Sequence, residues 1–313
     1  MKRGKGKIIS LLGPTGIGKS SLAIKLKDKY PVEIISVDSM MIYRDMNIGT
    51  DKPSEKILTS IKHHLVNIRN PNESYNVGQF YSDIRIIIKC IHSNNKIPLL
   101  VGGSMMYFNS LFNGLSLLPE KSIIERNFID NLLTKYSCNE LHFCLKNIDP
   151  PSYKNIDKND IQRIQRALEV YMQTGKPITS FFNNNLKLSD EYDLLTLKLI
   201  SKDRSLIHEK ISMRAKNMFK NNLIDEVTYL IEKYSLTKEN QSMRSIGYRQ
   251  VIDYLNDNVP LQDLENKCIY ATRQLAKRQI TWLKRFEDSI SIDIAENYSG
   301  NIDKVMDNYL HFQ

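Results

Sequence analysis

The chain of 313 residues carries 44 lysines and arginines against 35 acids, a net charge of +9 that favours a polyanionic partner. Its 41% hydrophobic content suits a globular protein with a sizeable core, and no run approaches the roughly 18 apolar residues of a spanning helix, so no membrane protein is expected. The four cysteines Cys90, Cys138, Cys144 and Cys268 form no C-x-x-C pair, which excludes metal-finger spacing and fits a reduced, cytoplasmic protein.

The opening "MKRGKGKIISLL" is basic and then briefly apolar, but a Gly-rich loop interrupts it, so it does not read as a signal peptide. "KIISLL" predicts a strand, and "LLGPTGIGKSS" (11–21) fits G-x-x-x-x-G-K-[ST] with Gly13, Gly18, Lys19 and Ser20 in the fixed places. Such a loop, Gly13, Pro14, Thr15, Gly16, Ile17, Gly18, Lys19 and Ser20, turns backbone N–H groups toward phosphate oxygens at a helix N-terminus. Lys19 reaches the terminal phosphate and the Ser20 hydroxyl helps hold Mg²⁺. The helical spacing of Leu22, Ile24 and Leu26 in "SSLAIKLKDKY" gives the loop its expected context. The motif alone leaves open whether the phosphate belongs to a nucleotide.

"VEIISVDS" (32–39), "IPLLVGGS" (97–104) and "DLLTLKLIS" (193–201) read as buried strands, with a helix over "NVGQFYSDIRIIIKCIHSNN" between the first two. Together they predict an α/β fold: a parallel-sheet core with a phosphate loop after its first strand. Residues 1–114 and 191–313 form that core with C-terminal helices, and 115–190 form a mainly helical insertion. A phosphate-loop ATPase needs a later apolar strand ending in Asp, yet "LLVGGS" ends without a carboxylate. The strand that does end in Asp supplies Asp38, read either as a helix cap or as a carboxylate at the ligand-binding edge of the sheet.

Within the insertion, "DIQRIQRALEVY" opens a helix with Gln162, Arg163 and Arg166, the two arginines three apart and so on one face. "MRSIGYRQ" (243–250) sets Arg244 and Arg249 around Gly247 and Tyr248, which fits a backbone-gripping loop or an ordinary inter-helix turn. In "YATRQLAKRQITWLKRFE" (270–287), Ala271, Leu275, Trp282, Leu283 and Phe286 fall on one side. Arg273, Lys277, Arg278, Lys284 and Arg285 fall on the other, with Gln274 and Thr281. Five cations with no anion before Glu287 repel one another unless an anion covers them or acids elsewhere on the fold lie nearby.

"GPTGIGKSSLA", "VEIISVDSMMIYRDMNIGTDKP", "PLLVGGSMMYF", "NDIQRIQRALEVYMQTGKPI", "MRSIGYRQ" and "ATRQLAKRQITWLKR" in this order closely resemble the tRNA dimethylallyltransferase family, from about residue 8 to 286. The resemblance is to the bacterial form, since the zinc finger of eukaryotic relatives has no counterpart among these cysteines. It implies that the loop holds the pyrophosphate of dimethylallyl pyrophosphate rather than ATP. It also implies that the prenyl group is transferred to N6 of the adenosine 3′ to the anticodon in tRNAs reading codons that begin with uridine. Asp38 is similar to the family's candidate base. Ser104 stands where the family usually has Thr, near the leaving group, and Arg214 matches an arginine facing the pyrophosphate. Mg²⁺ on Ser20 and a monomeric enzyme are expected. For the tRNA, the resemblance points to Asp38, Ser39, Met40, Met41 and Ser104 beside a flipped base. It points further to Gln162, Arg163, Ile164, Gln165 and Arg166, to Arg244, Ser245, Ile246, Gly247, Tyr248 and Arg249, and to Arg126. Asp51 in "GTDKP" departs from the small residue that relatives often carry there.

Two rival readings come from the residues themselves. A kinase of nucleosides or small metabolites predicts phosphoryl transfer from ATP, and the strand-end Asp missing after "LLVGGS" argues against it. A non-catalytic RNA-binding module predicts a vestigial loop, and intact Lys19, Ser20 and Asp38 argue against that.

Overall fold

A computed structural model describes residues 5–116, 118–182, 186–295 and 298–311. The chain divides into two compact units, one of residues 1–112 with 188–313 and one of residues 113–187.

The first unit is built on six parallel strands in the order β3-β2-β4-β1-β5-β6. They are β1 (Gly6–Leu12), β2 (Val32–Val37), β3 (His63–His64), β4 (Ile97–Gly102), β5 (Tyr192–Ile200) and β6 (Ile290–Asp293). Period-two alternation along the strands builds a core on each face of the sheet. Ile8, Leu12, Ile35, Val37 and Leu100 enter one core, while Ile9, Leu11, Val32, Ile34, Leu99 and Val101 enter the other. Burial on both faces is why these strands read as unbroken apolar runs. The two edge strands β3 and β6 went unforeseen in the sequence, because two and four residues are too short for any period to show.

Helices α1 (Lys19–Lys29), α2 (Glu55–Ser60), α3 (Val77–Ser93) and α4 (Met105–Asn113) follow the first four strands. Asn76 caps α3, its side chain accepting from the Gly78 and Gln79 amides while the Gln79 side chain accepts from the Asn76 amide. The second unit carries α5 (Ile123–Lys135), α6 (Cys138–Ile148), α7 (Pro150–Asn155) and α8 (Ile161–Thr174) around Ile129, Leu145, Ile164 and Val170. The chain then returns through α9 (Leu188–Glu191). Leu188 is already buried in the sheet unit's core, slightly before the return expected at 191. The C-terminal part adds α10 (Arg204–Lys220), α11 (Leu223–Tyr234), α12 (Tyr248–Leu255), α13 (Leu261–Leu283) and α14 (Tyr298–His311). Among the described residues, no helix is long and apolar enough to cross a membrane.

Candidate functional site

The ends of β1, β2 and β4 open into a cavity of about 550 Å³. It is lined by Thr15, Gly16, Gly18, Lys19 and Ser20 of the loop, by Asp38, Met40 and Met41, and by Ser245, Ile246 and Gly247. Gly18 sits at φ +100 before the first turn of α1, a backbone state that only glycine adopts at little cost. It lets the loop turn its amides inward at the helix N-terminus, where the dipole favours an anion.

Lys19 is half-buried, and its Nζ donates to the Pro14 carbonyl at 2.7 Å, folding the side chain back over the loop. Burial lowers its pKa to about 8; Asp38 opposes that shift, Arg214 adds to it and Asp51 opposes it weakly. Arg214 on α10 donates from Nη1 to Thr15 Oγ1 at 2.8 Å, and its Nε lies 3.5 Å from the Asp51 carboxylate. A guanidinium and an ammonium therefore converge on the loop, each tempered by an aspartate.

Thr15 departs from the expected pattern. Its amide donates to Gln279 Oε1 at 2.8 Å, and the Gln279 amide donates to the Gly103 carbonyl at 2.8 Å. The Thr15 N–H is thus committed within the fold rather than to a phosphate, and Gln279 of α13 ties the loop to the end of β4. Sequence reading missed Gln279, although the signal was there. It lies four residues after Leu275 and three before Trp282, a buried polar residue on the apolar stripe of its helix.

Asp38 is reached just past the end of β2. Its Oδ1 accepts from the Met40 amide at 2.8 Å and the Met41 amide at 3.2 Å, so it does cap the following turn. Oδ2 accepts no bond among the described residues, which leaves one carboxylate oxygen for chemistry. Ser104 Oγ accepts from the Ser39 amide at 3.0 Å, which orients this turn from the neighbouring strand. The approach is close: a Cβ on Gly102 would lie 1.9 Å from the Val37 carbonyl oxygen.

Several expected contact residues are placed otherwise. Tyr248 is fully buried, its hydroxyl donating to Glu226 Oε1 at 2.6 Å, so its ring has no face to offer a base. Ile164 is likewise interior, in the core of the helical unit. Arg163 and Arg166 lie three apart on α8, but only Arg163 is exposed. Arg163 is exposed and paired with Asp160 at 3.1 Å, whereas Arg166 turns inward to the fully buried Glu169 at 2.9 Å. Arg126 also reaches Glu169, at 3.3 Å. Gln162 is exposed and Gln165 donates to Asp130 at 2.8 Å. Arg244 and Arg249 are exposed, Arg244 beside Glu239 at 3.0 Å. On α13 and just beyond it, Lys277, Arg278, Lys284 and Arg285 are exposed, while Arg273 is half-buried. Leu275, expected in the core, lines the cavity with Thr272.

Among the described residues no cluster of three or more His, Cys, Asp or Glu side chains could hold a metal ion. Exposed Ser20 lines the cavity as a hydroxyl oxygen donor beside the loop amides. That donor set fits a hard cation carried mostly by phosphate oxygens and water.

Residues 41–286 match the sequence model of a family described as IPP transferase. The tRNA dimethylallyltransferase of Coxiella burnetii (strain Dugway 5J108-111) is 44% identical over 282 residues, covering 90% of this chain and 91% of that protein. That of Nitrosomonas eutropha is 39% identical over 289 residues, covering 92% and 91%. The fold matches a crystal structure of the tRNA isopentenylpyrophosphate transferase of Bacillus halodurans with TM-score 0.69 and 30% identity, covering 98% of this chain and 96% of that one. It also matches a eukaryotic dimethylallyltransferase acting on tRNA, with TM-score 0.82 and 29% identity over 97% of this chain and 79% of that one.

Proposed function

The chain belongs to the IPP transferase family, and from that premise we infer that its activity is that of a tRNA dimethylallyltransferase. The supporting observation is the cavity that joins a phosphate-type loop to an oriented carboxylate. We propose that the loop takes the pyrophosphate of dimethylallyl pyrophosphate, and that the acceptor is N6 of the adenosine 3′ to the anticodon.

In the reaction N6 bonds to the allylic C1, the C1–O bond breaks, pyrophosphate leaves and N6 gives up one proton. The N6 lone pair is delocalised into the purine ring, so a base aligned on its proton lowers the barrier. Asp38 Oδ2 is that acceptor, while Oδ1 stays on the Met40 and Met41 amides and fixes the carboxylate's direction. Negative charge grows on the leaving oxygen. The Gly16 to Ser20 amides, Lys19 and Arg214 oppose it in a shielded cavity where such donors count for more than in water. Mg²⁺ held by Ser20 and phosphate oxygens would add Lewis-acid stabilisation of the leaving group. Adenine stacked in a loop is out of reach, so the base must turn out into the pocket between Met40, Met41 and Ile246. Exposed Gln162, Arg163, Arg244 and Arg249, with the cations of α13, are the groups we assign to tRNA phosphates. Half-buried Arg126 and Arg166 are assigned instead to the buried Glu169 carboxylate.

The test is the site of modification. Nucleosides from treated tRNA are separated by mass, and the added dimethylallyl group is located. A product carrying it on any atom but N6 of that adenosine rejects the assignment.

A further inference from the structure

Asp51 is an acidic side chain paired with Arg214, the α10 arginine that reaches the phosphate loop, and the transfer reaction gives it no task. Its carboxylate lies 3.5 Å from Arg214 Nε while the same guanidinium holds Thr15. The position is set by the backbone rather than by chance. Residues 47–49 donate three amides to the Glu226 carboxylate at 3.0, 2.7 and 3.2 Å. Lys52, buried next door, donates to the Tyr43 carbonyl at 2.7 Å and to Asn67 Oδ1 at 2.7 Å. Asp51 itself adopts φ +57, so the carboxylate is presented from a pinned turn. A second hollow of about 470 Å³ is lined by Asp51, Lys210 and Arg214, all of which also line the loop cavity. The Asp51–Arg214 pair therefore stands on the wall shared by the two.

Resting on the pyrophosphate reading of the loop, we propose that Asp51 is an internal competitor for Arg214 that weakens the hold on pyrophosphate. Any polyanion bound at the loop must share Arg214 with a fixed carboxylate and also feels its repulsion. The consequence is looser retention of the donor and of the pyrophosphate product, at a site where strong binding of product would stall turnover.

Asp51→Asn and Asp51→Gly both remove the charge and both tolerate φ +57, so the turn is kept. Inorganic pyrophosphate with Mg²⁺ is titrated calorimetrically into the wild-type chain and each variant, at low and at high salt, beside a melting curve. Asp51 is 64% exposed on its side chain, so the effect expected is that of a screened pair, about two- to fivefold tighter binding in both variants. The difference should shrink at high salt, which a merely structural change would not do. Unchanged or weaker binding in both variants overturns the role of Asp51 alone. No binding by the wild-type chain overturns the loop reading and the role of Asp51 with it.

Discussion

Asp38 offers two carboxylate oxygens, and the sequence presented cap and base as alternatives. A strand-end aspartate reads as cap or as base, and the structure gives Oδ1 to the Met40 and Met41 amides while Oδ2 stays free among the described residues. Asp38→Asn should keep the cap through its amide oxygen and lose the basicity. Single-turnover transfer should fall by about 10² to 10⁴, with the melting temperature nearly unchanged. Near-normal turnover would remove Asp38 from the chemistry. Lys19 adds a pH signature. Its pKa of about 8 means that the ammonium is lost as the pH rises through that value, so pyrophosphate binding should weaken between neutrality and about pH 9. Lys19→Met should bind weakly at every pH and lack that component, whereas an identical pH profile in both proteins would contradict it.

At the level of elements, strands buried on both faces were legible because each is an apolar run, and the phosphate loop because its spacing is fixed. Side-chain direction on helices was less legible. Arg163 and Arg166 lie three apart on α8, yet one faces solvent and the other a buried carboxylate, because Glu169 supplies a partner that spacing alone does not reveal. Gln279 was hidden by the opposite habit, a polar letter inside an apolar stripe. Glu169 also gives the helical unit its own prediction. Burial pushes its carboxyl up, but Arg166, the Ser122 amide and Arg126 outweigh that and hold it below the ordinary carboxylate range. Its contribution is therefore full at neutral pH and is lost as the pH falls through the depressed folded value. Glu169→Gln leaves two arginines facing a neutral group and should destabilise the unit by about 3 kcal/mol. A denaturant titration that shows no loss of stability at neutral pH would reject this account.

For the whole molecule, the net charge of +9 is spread unevenly, with exposed Lys277, Arg278, Lys284 and Arg285 on and just beyond α13. Replacing these four with Gln should weaken tRNA binding and flatten its salt dependence. The log–log slope should drop by about 0.7 for each single-strand phosphate that a cation no longer neutralises. An unchanged slope would mean that this face meets no phosphate. A loop of nucleotide-binding type that serves a prenyl pyrophosphate has no use for ATP. This is tested most directly with purified protein, unmodified tRNA, Mg²⁺ and labelled dimethylallyl pyrophosphate, with and without ATP. Label should enter tRNA equally in both tubes, with one pyrophosphate released per label. Transfer only when ATP is present, or phosphoryl transfer from ATP without prenylation, would contradict it.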